Sequence, residues 1–164
     1  MQENIGLGSR KNGRRVLVGL VSLTALTLTL GAGQPAAADP RPEGTHHFRN
    51  GGNGLCLDVS GVAEHSTVVT NNCRKDAATQ KWRFRADGRL YNLKSGLCME
   101  GLPLVASRLA RCTEPTTEWR WDAEKSGFRS WGYAVVWNDE PGSPVWEGGY
   151  STYAKWTPFN PPVR

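Results

Sequence analysis

Only three histidines occur in the 164 residues, His46, His47 and His65, and none stands in a nucleophile motif. The usual general base of hydrolytic triads is therefore missing. His46 and His47 are adjacent in a strand-like stretch, where neighbours point to opposite faces, so they do not form a metal pair. The four cysteines show no CxxC and no finger-type Cys/His spacing. That excludes a zinc site, and no cofactor or metal is expected. Carboxylate pairs such as Asp139/Glu140 and Asp122/Glu124 are the remaining hydrolytic option, but a sequence does not give the separation that glycoside hydrolysis requires. No catalytic residues and no enzyme are expected.

Past residue 38 no apolar run reaches membrane length, so no membrane span is expected there. No helical period is sustained over three turns, which excludes a helical bundle. A clustered basic face is also missing. The chain has 20 Lys+Arg and 15 Asp+Glu, but four of the basic residues and one acid lie in the first 38 positions, leaving 16 against 14. Arg74-Lys75 and Arg83/Arg85 are interrupted by Asp76 and Asp87. This reads as a mixed solvated surface, with no nucleic-acid partner expected.

Residues 1–38 have the pattern of a secretory signal peptide. Arg10, Lys11, Arg14 and Arg15 form a positive region, Val16 to Leu30 an apolar one, and Ala36-Ala37-Ala38 a small-residue cleavage site. The apolar run is about 15 residues, short of the ~20 that span a bilayer. The protein is expected to be secreted and extracellular. The long basic segment and Ala-rich end resemble exported proteins of high-GC Gram-positive bacteria. About 126 residues remain, enough for one domain with a real core.

Within them, Trp82, Trp119 and Trp156 stand 37 residues apart. A fixed period near 40 implies one structural unit used three times, too small to bury a core alone. The units run from about 45–86, 87–123 and 124–164. Their segments are short, rich in Val, Leu, Trp and Phe, and bounded by Gly, Asn, Asp and Pro, which is strand-and-turn chemistry. Trp82-Arg83-Phe84 and Trp119-Arg120-Trp121 place two aromatics on one strand face. An all-β closed barrel or pseudo-threefold assembly follows, because it removes exposed strand edges. The tryptophans are its core residues. Each of the first two repeats holds one cysteine pair, so Cys56–Cys73 and Cys98–Cys112 are the expected disulfides.

Gly54-Leu55-Cys56-Leu57-Asp58, with Cys73 downstream and then Gln80-Lys81-Trp82, resembles the ricin B-type lectin repeat, the QxW β-trefoil. The second repeat matches with Glu100 in place of Asp and Thr117 in place of Gln. The third has lost both cysteines: Trp137 sits in one place, Gly148 or Gly149 in the other, and Ala154 replaces the Gln. The resemblance covers essentially the whole chain after the leader. It implies a β-trefoil over 45–164 preceded by an extended tail, 39–44.

The resemblance also implies a shallow sugar site per repeat, built from an acid after the first Cys, an aromatic about two before the second Cys, and an amide near QxW. Sugar rings have an apolar face and a fan of hydroxyls, which suits that set. In repeat one Asp58 and Gln80 are present, but Asn71 takes the stacking place. Asp58 and Gln80 have alternative roles in ordering their own turn. In repeat two Glu100, Ala110, Arg108 and Arg111 leave no platform. In repeat three, matching Gly127 to Gly88 aligns Asp139 with Glu100 and puts Trp146 at or next to the stacking place. The sugar-binding candidates are thus Asp58, Asn71, Gln80, Asp139 and Trp146.

The expected partner is a glycan or polysaccharide. The alternative is a secreted protein, bound by a trefoil whose sugar sites have degenerated. The tail Asp39–Gly44 and an aromatic anchor of Trp137, Trp146, Tyr150 and Tyr153 would serve that adaptor role, in a secreted complex such as a toxin particle.

Overall fold

The computed structural model describes residues 41–159; the proposed leader lies outside them, as do Asp39, Pro40 and residues 160–164. Short apolar runs broken by turn residues give twelve strands: β1 (Thr45–Asn50), β2 (Cys56–Val59), β3 (Val68–Asn71), β4 (Trp82–Phe84), β5 (Leu90–Asn92), β6 (Cys98–Glu100), β7 (Arg108–Ala110), β8 (Arg120–Asp122), β9 (Gly127–Arg129), β10 (Tyr133–Val136), β11 (Ser143–Gly148) and β12 (Trp156–Phe159). The helical segments among the described residues are single 3-10 turns, Ala78–Gln80, Pro115–Thr117 and Thr152–Ala154.

Each repeat supplies four strands. The outer two of each repeat build a ring, in which β1 pairs with β4 and β12, β4 with β5, and β8 with β9. A bridge between Arg89 and Glu118, and a hydrogen bond from Trp156 N to the Ser126 carbonyl at 2.6 Å, close the remaining gaps. The inner two strands of each repeat form the hairpins β2–β3, β6–β7 and β10–β11. These hairpins meet through β3–β11 pairing and the bridges Thr67–Arg108 and Ala106–Trp146. The architecture is the three-unit all-β assembly expected from the 37-residue period, and the β-trefoil that the resemblance implies.

Trp82, Trp119 and Trp156 are 0%, 1% and 0% exposed. Each donates its indole N–H to a carbonyl of the second strand of its own repeat: Leu57 at 3.0 Å, Met99 at 3.0 Å and Ala134 at 2.8 Å. Tryptophan suits this place because its large apolar body fills the shared core and its single donor is satisfied there. Phe48, Leu90 and Phe128 take the matching places on β1, β5 and β9, and Phe48 meets Phe128 edge-on at 4.9 Å.

Two asparagines missed in the sequence reading hold the first turns. Asn50 and Asn92 each donate across to the chain, to the carbonyls of Tyr153 at 2.8 Å and Thr79 at 2.7 Å. Each also accepts turn amides on its Oδ1, including Gly52 N at 2.9 Å and Lys94 N at 3.2 Å. The repeated Asn-x-x-x-Gly-Leu-Cys at 50–56 and 92–98 was the available signal.

The disulfides are Cys56–Cys73 and Cys98–Cys112, each with Cα atoms 5.0 Å apart. In the third repeat the strand register puts Tyr133 where Cys56 and Cys98 stand. Tyr133 opposes Gly148 as Cys56 opposes Asn71 and Cys98 opposes Ala110. The second cysteine of each pair lies two residues further on, and the matching residue is Tyr150. The two rings meet edge to face with centroids 5.3 Å apart. An aromatic pair therefore replaces the covalent bond, and Trp137 and Gly148/Gly149 are not the cysteine counterparts.

At the start of the described chain, the Arg41 guanidinium lies over the Phe84 ring, 5.6 Å from its centroid. This part of the tail packs on its own domain.

Candidate functional site

In the first repeat the fold brings Asp58, Asn71 and Gln80 together, and turns them inward. Asp58 is 2% exposed. Its Oδ1 accepts the Val59 amide at 2.8 Å, and its Oδ2 accepts Asn71 Nδ2 at 3.1 Å and Gln80 Nε2 at 3.0 Å. Gln80 is fully buried, donates also to the Asn72 carbonyl at 2.9 Å, and accepts the Arg74 amide at 2.9 Å. Both carboxylate oxygens and both amide ends are satisfied within the chain. The cluster ties β2, β3 and the 3-10 turn into one unit, as buried polar groups must be tied.

In the second repeat Glu100 is 6% exposed. It accepts Arg108 Nε and Thr116 Oγ1, both at 2.6 Å. Burial pushes its carboxyl pKa up, but the hydrogen bonds from Thr116 and Arg108 outweigh it and hold the group below its ordinary value. The anion is thus already neutralised by its own repeat.

The third repeat differs from its expected alignment. The Trp156 bond to Ala134 fixes Ala134 as the counterpart of Leu57 and Met99, so Val135 is the counterpart of Asp58 and Glu100. Val135 is 4% exposed. Asp139 is not the register partner of the other two acids; it lies in the loop after β10, exposed. Two causes add up. Ser126, at φ 51°, takes the left-handed place of Gly88, so Gly127 is one residue late. The first turn is also three residues shorter, because Arg129 pairs with Tyr133 whereas Tyr91 pairs with Cys98 and Arg49 with Cys56. Likewise Gly148, not Trp146, opposes Tyr133 at the stacking position, and Trp146 opposes Val135 two residues earlier on the same face.

The Asp139 carboxylate lies near the Tyr153 hydroxyl and raises the tyrosine pKa. Tyr153 fits there because Gly52 has no side chain: a Cβ would meet its ring at 2.4 Å. Asn53 Nδ2 donates to the Asn138 carbonyl at 3.1 Å, tying the same loop to the first repeat.

Beside this loop an open groove of about 490 Å³ runs between Trp137, Asn138, Pro144, Trp146, Glu147 and the Leu104 side chain of the second repeat. Trp137 is 70% and Leu104 92% exposed, so the lining is apolar and accessible. Among the described residues no group of three His, Cys, Asp or Glu side chains is placed to hold a metal ion, and no helix is long and apolar enough to cross a membrane.

The sequence matches the ricin-type beta-trefoil lectin domain over residues 40–121, half of the chain. The protein belongs to this family. The match ends where the third repeat begins, the repeat that has lost its disulfide and its acid. Among curated protein sequences, none matches the chain. Solved structures with a similar fold include the mdaA-1 domain (20% identity, TM-score 0.62, 79% of this chain and 100% of that one). The C-half of an earthworm R-type lectin, solved with GalNAc, is 15% identical with a TM-score of 0.60, over 71% of this chain and 97% of that one. A mosquitocidal holotoxin is 13% identical with a TM-score of 0.64, over 74% of this chain and 18% of that one.

One further group of the lectin domain stands out. Glu147 opposes Ala134, the register place that Thr70 and Leu109 fill in the other hairpins. Both of its carboxyl oxygens are buried without a hydrogen-bond partner. A Cβ on Gly101 would sit 2.4 Å from its Oε1, so only glycine leaves it room. Burial pushes its pKa up; the Trp131 amide and the Ser130 hydroxyl lie near and pull the other way, without normal hydrogen-bond geometry. The proton is therefore held more tightly in the folded state, and the contribution of this group to stability is fully present below the ordinary glutamate pKa of 4.5 and is lost as pH rises through the folded value. Glu147→Leu, which copies Leu109, is expected to stabilise the domain by about 1–3 kcal/mol at pH 7, with the gain shrinking toward pH 4. Urea titrations across that range measure it; a gain that is flat with pH would remove Glu147 as its source.

Proposed function

We propose that this protein is a secreted, non-catalytic carbohydrate-binding lectin that holds its glycan in the third-repeat groove. The observation that carries the reading is the pair Trp137 and Trp146 lining an open apolar cleft, with Asn138 on its wall and Asp139 in the adjoining loop. Flat aromatic faces stack on sugar rings, and amide and carboxylate groups meet the hydroxyls. Family membership supports a glycan ligand, and the earthworm lectin of the same fold was solved with GalNAc. The first two repeats contribute little to this reading, since Asp58, Gln80 and Glu100 spend their polar atoms internally. A single shallow site of this kind binds weakly, with Kd near millimolar, or about −4 kcal/mol.

The test is retention of the protein without its first 38 residues on a panel of insoluble polysaccharides, with release by free sugar. Trp137→Ala is expected to cut retention about tenfold, the worth of a lost aromatic contact, with an unchanged melting temperature. Full retention by Trp137→Ala places the sugar elsewhere.

A second reading is supported by the exposed apolar groups beyond the groove, Val105 at 45% and Trp131 at 77%, which add to Leu104 on its wall. Such a surface suits a protein partner, making the trefoil an adaptor in a secreted complex. A stoichiometric protein co-purifying from culture supernatant, with no polysaccharide retention, favours that reading.

A further inference from the structure

The tyrosine pair that stands in for the third disulfide holds something. Tyr133 and Tyr150 meet at 64°, and the Lys125 ammonium lies 5.4 Å from one ring centroid and 5.2 Å from the other. Asp122 forms a third wall. Its Oδ2 accepts the Tyr133 hydroxyl at 2.6 Å, and its Oδ1 accepts the Lys125 backbone amide at 3.1 Å. Arg129 also stands over the Tyr133 ring, 5.9 Å from the centroid. Two aromatic faces at an angle and a carboxylate are the elements of a cage for an ammonium ion, because each ring face carries partial negative charge.

The occupant is the chain's own. Lys125 is exposed, on a flexible four-carbon stem in the β8–β9 loop. The space beside the cage is open. Tyr150 is 42% exposed, and a Cβ on the preceding Gly149 would meet no atom within 4 Å.

We propose that Lys125, Tyr133, Tyr150 and Asp122 form a cation site that Lys125 fills in the absence of ligand, and that takes the free ammonium of an amino sugar when Lys125 swings out. The amino sugar as carrier rests on the glycan reading; the cage itself does not. An N-acetylated sugar is neutral and lacks the cation–π attraction, so the site discriminates by charge. It lies at the disulfide position of the repeat, apart from the residues that line the Trp137 groove.

Calorimetric and NMR titration of the protein with deacetylated glucosamine oligomers and with their N-acetylated counterparts tests it. The deacetylated oligomers are expected to bind about tenfold more tightly, and Lys125→Met to strengthen them by about threefold or more while leaving the acetylated ones unchanged. Tyr150→Leu is expected to abolish the preference and, through loss of the ring pair, to lower the melting temperature slightly, with the fold retained. Equal binding of both oligomers in the wild type and in Lys125→Met overturns the cage, and leaves the glycan reading to be judged separately by Trp137→Ala. Binding of oligolysine but of neither oligosaccharide overturns the amino-sugar carrier in favour of a protein lysine.

Discussion

Trp82→Ala is expected to destabilise the domain by about 3–5 kcal/mol, comparable to the whole stability of many small domains. Two losses combine. The indole is fully buried, so its removal leaves a large cavity in the core shared by the three repeats. Its N–H also satisfies the Leu57 carbonyl at 3.0 Å, which would be left buried and unpaired. Trp119 and Trp156 stand in the same relation to Met99 and Ala134, and their loss is expected to cost a similar amount. Trp137→Ala is the control, because that side chain is 70% exposed. Denaturant unfolding compares the two. Equal midpoints for Trp82→Ala and the wild type would mean that the tryptophan period does not mark the core.

Removing the disulfides has the second large effect. Their sequence separations are 17 and 14. Closing a loop of about 15 residues stabilises by about 3 kcal/mol in the chain-entropy model. Cys56→Ala/Cys73→Ala and Cys98→Ala/Cys112→Ala are each expected to lower stability by about that much, and a thiol reductant by about twice as much. The bridges lie in separate repeats, which supports near-additivity. Guanidinium titrations with and without reductant give the answer, and an unchanged midpoint on reduction would show that the covalent loops add nothing to the trefoil.

Much of the fold was legible because it rests on spacing. The 37-residue tryptophan period and the short apolar segments pointed to three units, the cysteine pairs marked two of them, and the strands lie where those segments run. The site was harder to read. Asp58 and Gln80 were recognisable as a pair, but a sequence does not tell whether a polar pair faces outward or closes on itself; here each is the other's partner. The third repeat failed for a local reason. Ser126 adopts a conformation that usually calls for glycine, and the β9–β10 turn drops three residues, so an alignment anchored on Gly127 slipped by four and set Asp139 where Val135 stands. The tyrosine pair carried a signal that was passed over: Tyr133 and Tyr150 are 17 residues apart, as are Cys56 and Cys73. Strand alternation places Trp146 and Glu147 on opposite faces, yet only the register shows that Glu147 is the one turned inward.

The tyrosine clasp bears on the order in which the chain assembles. Hairpins form in about 1–10 μs, whereas disulfides need seconds to hours and an oxidant. Nothing in the closure of β10–β11 waits for a thiol. That hairpin can be complete while the other two are still reduced, and its second strand, β11, is the one on which β3 pairs, through Ser143 with Thr70 and Pro144 with Val69. The repeat least like its relatives is thus the one able to template the register of its neighbour before Cys73 reaches Cys56.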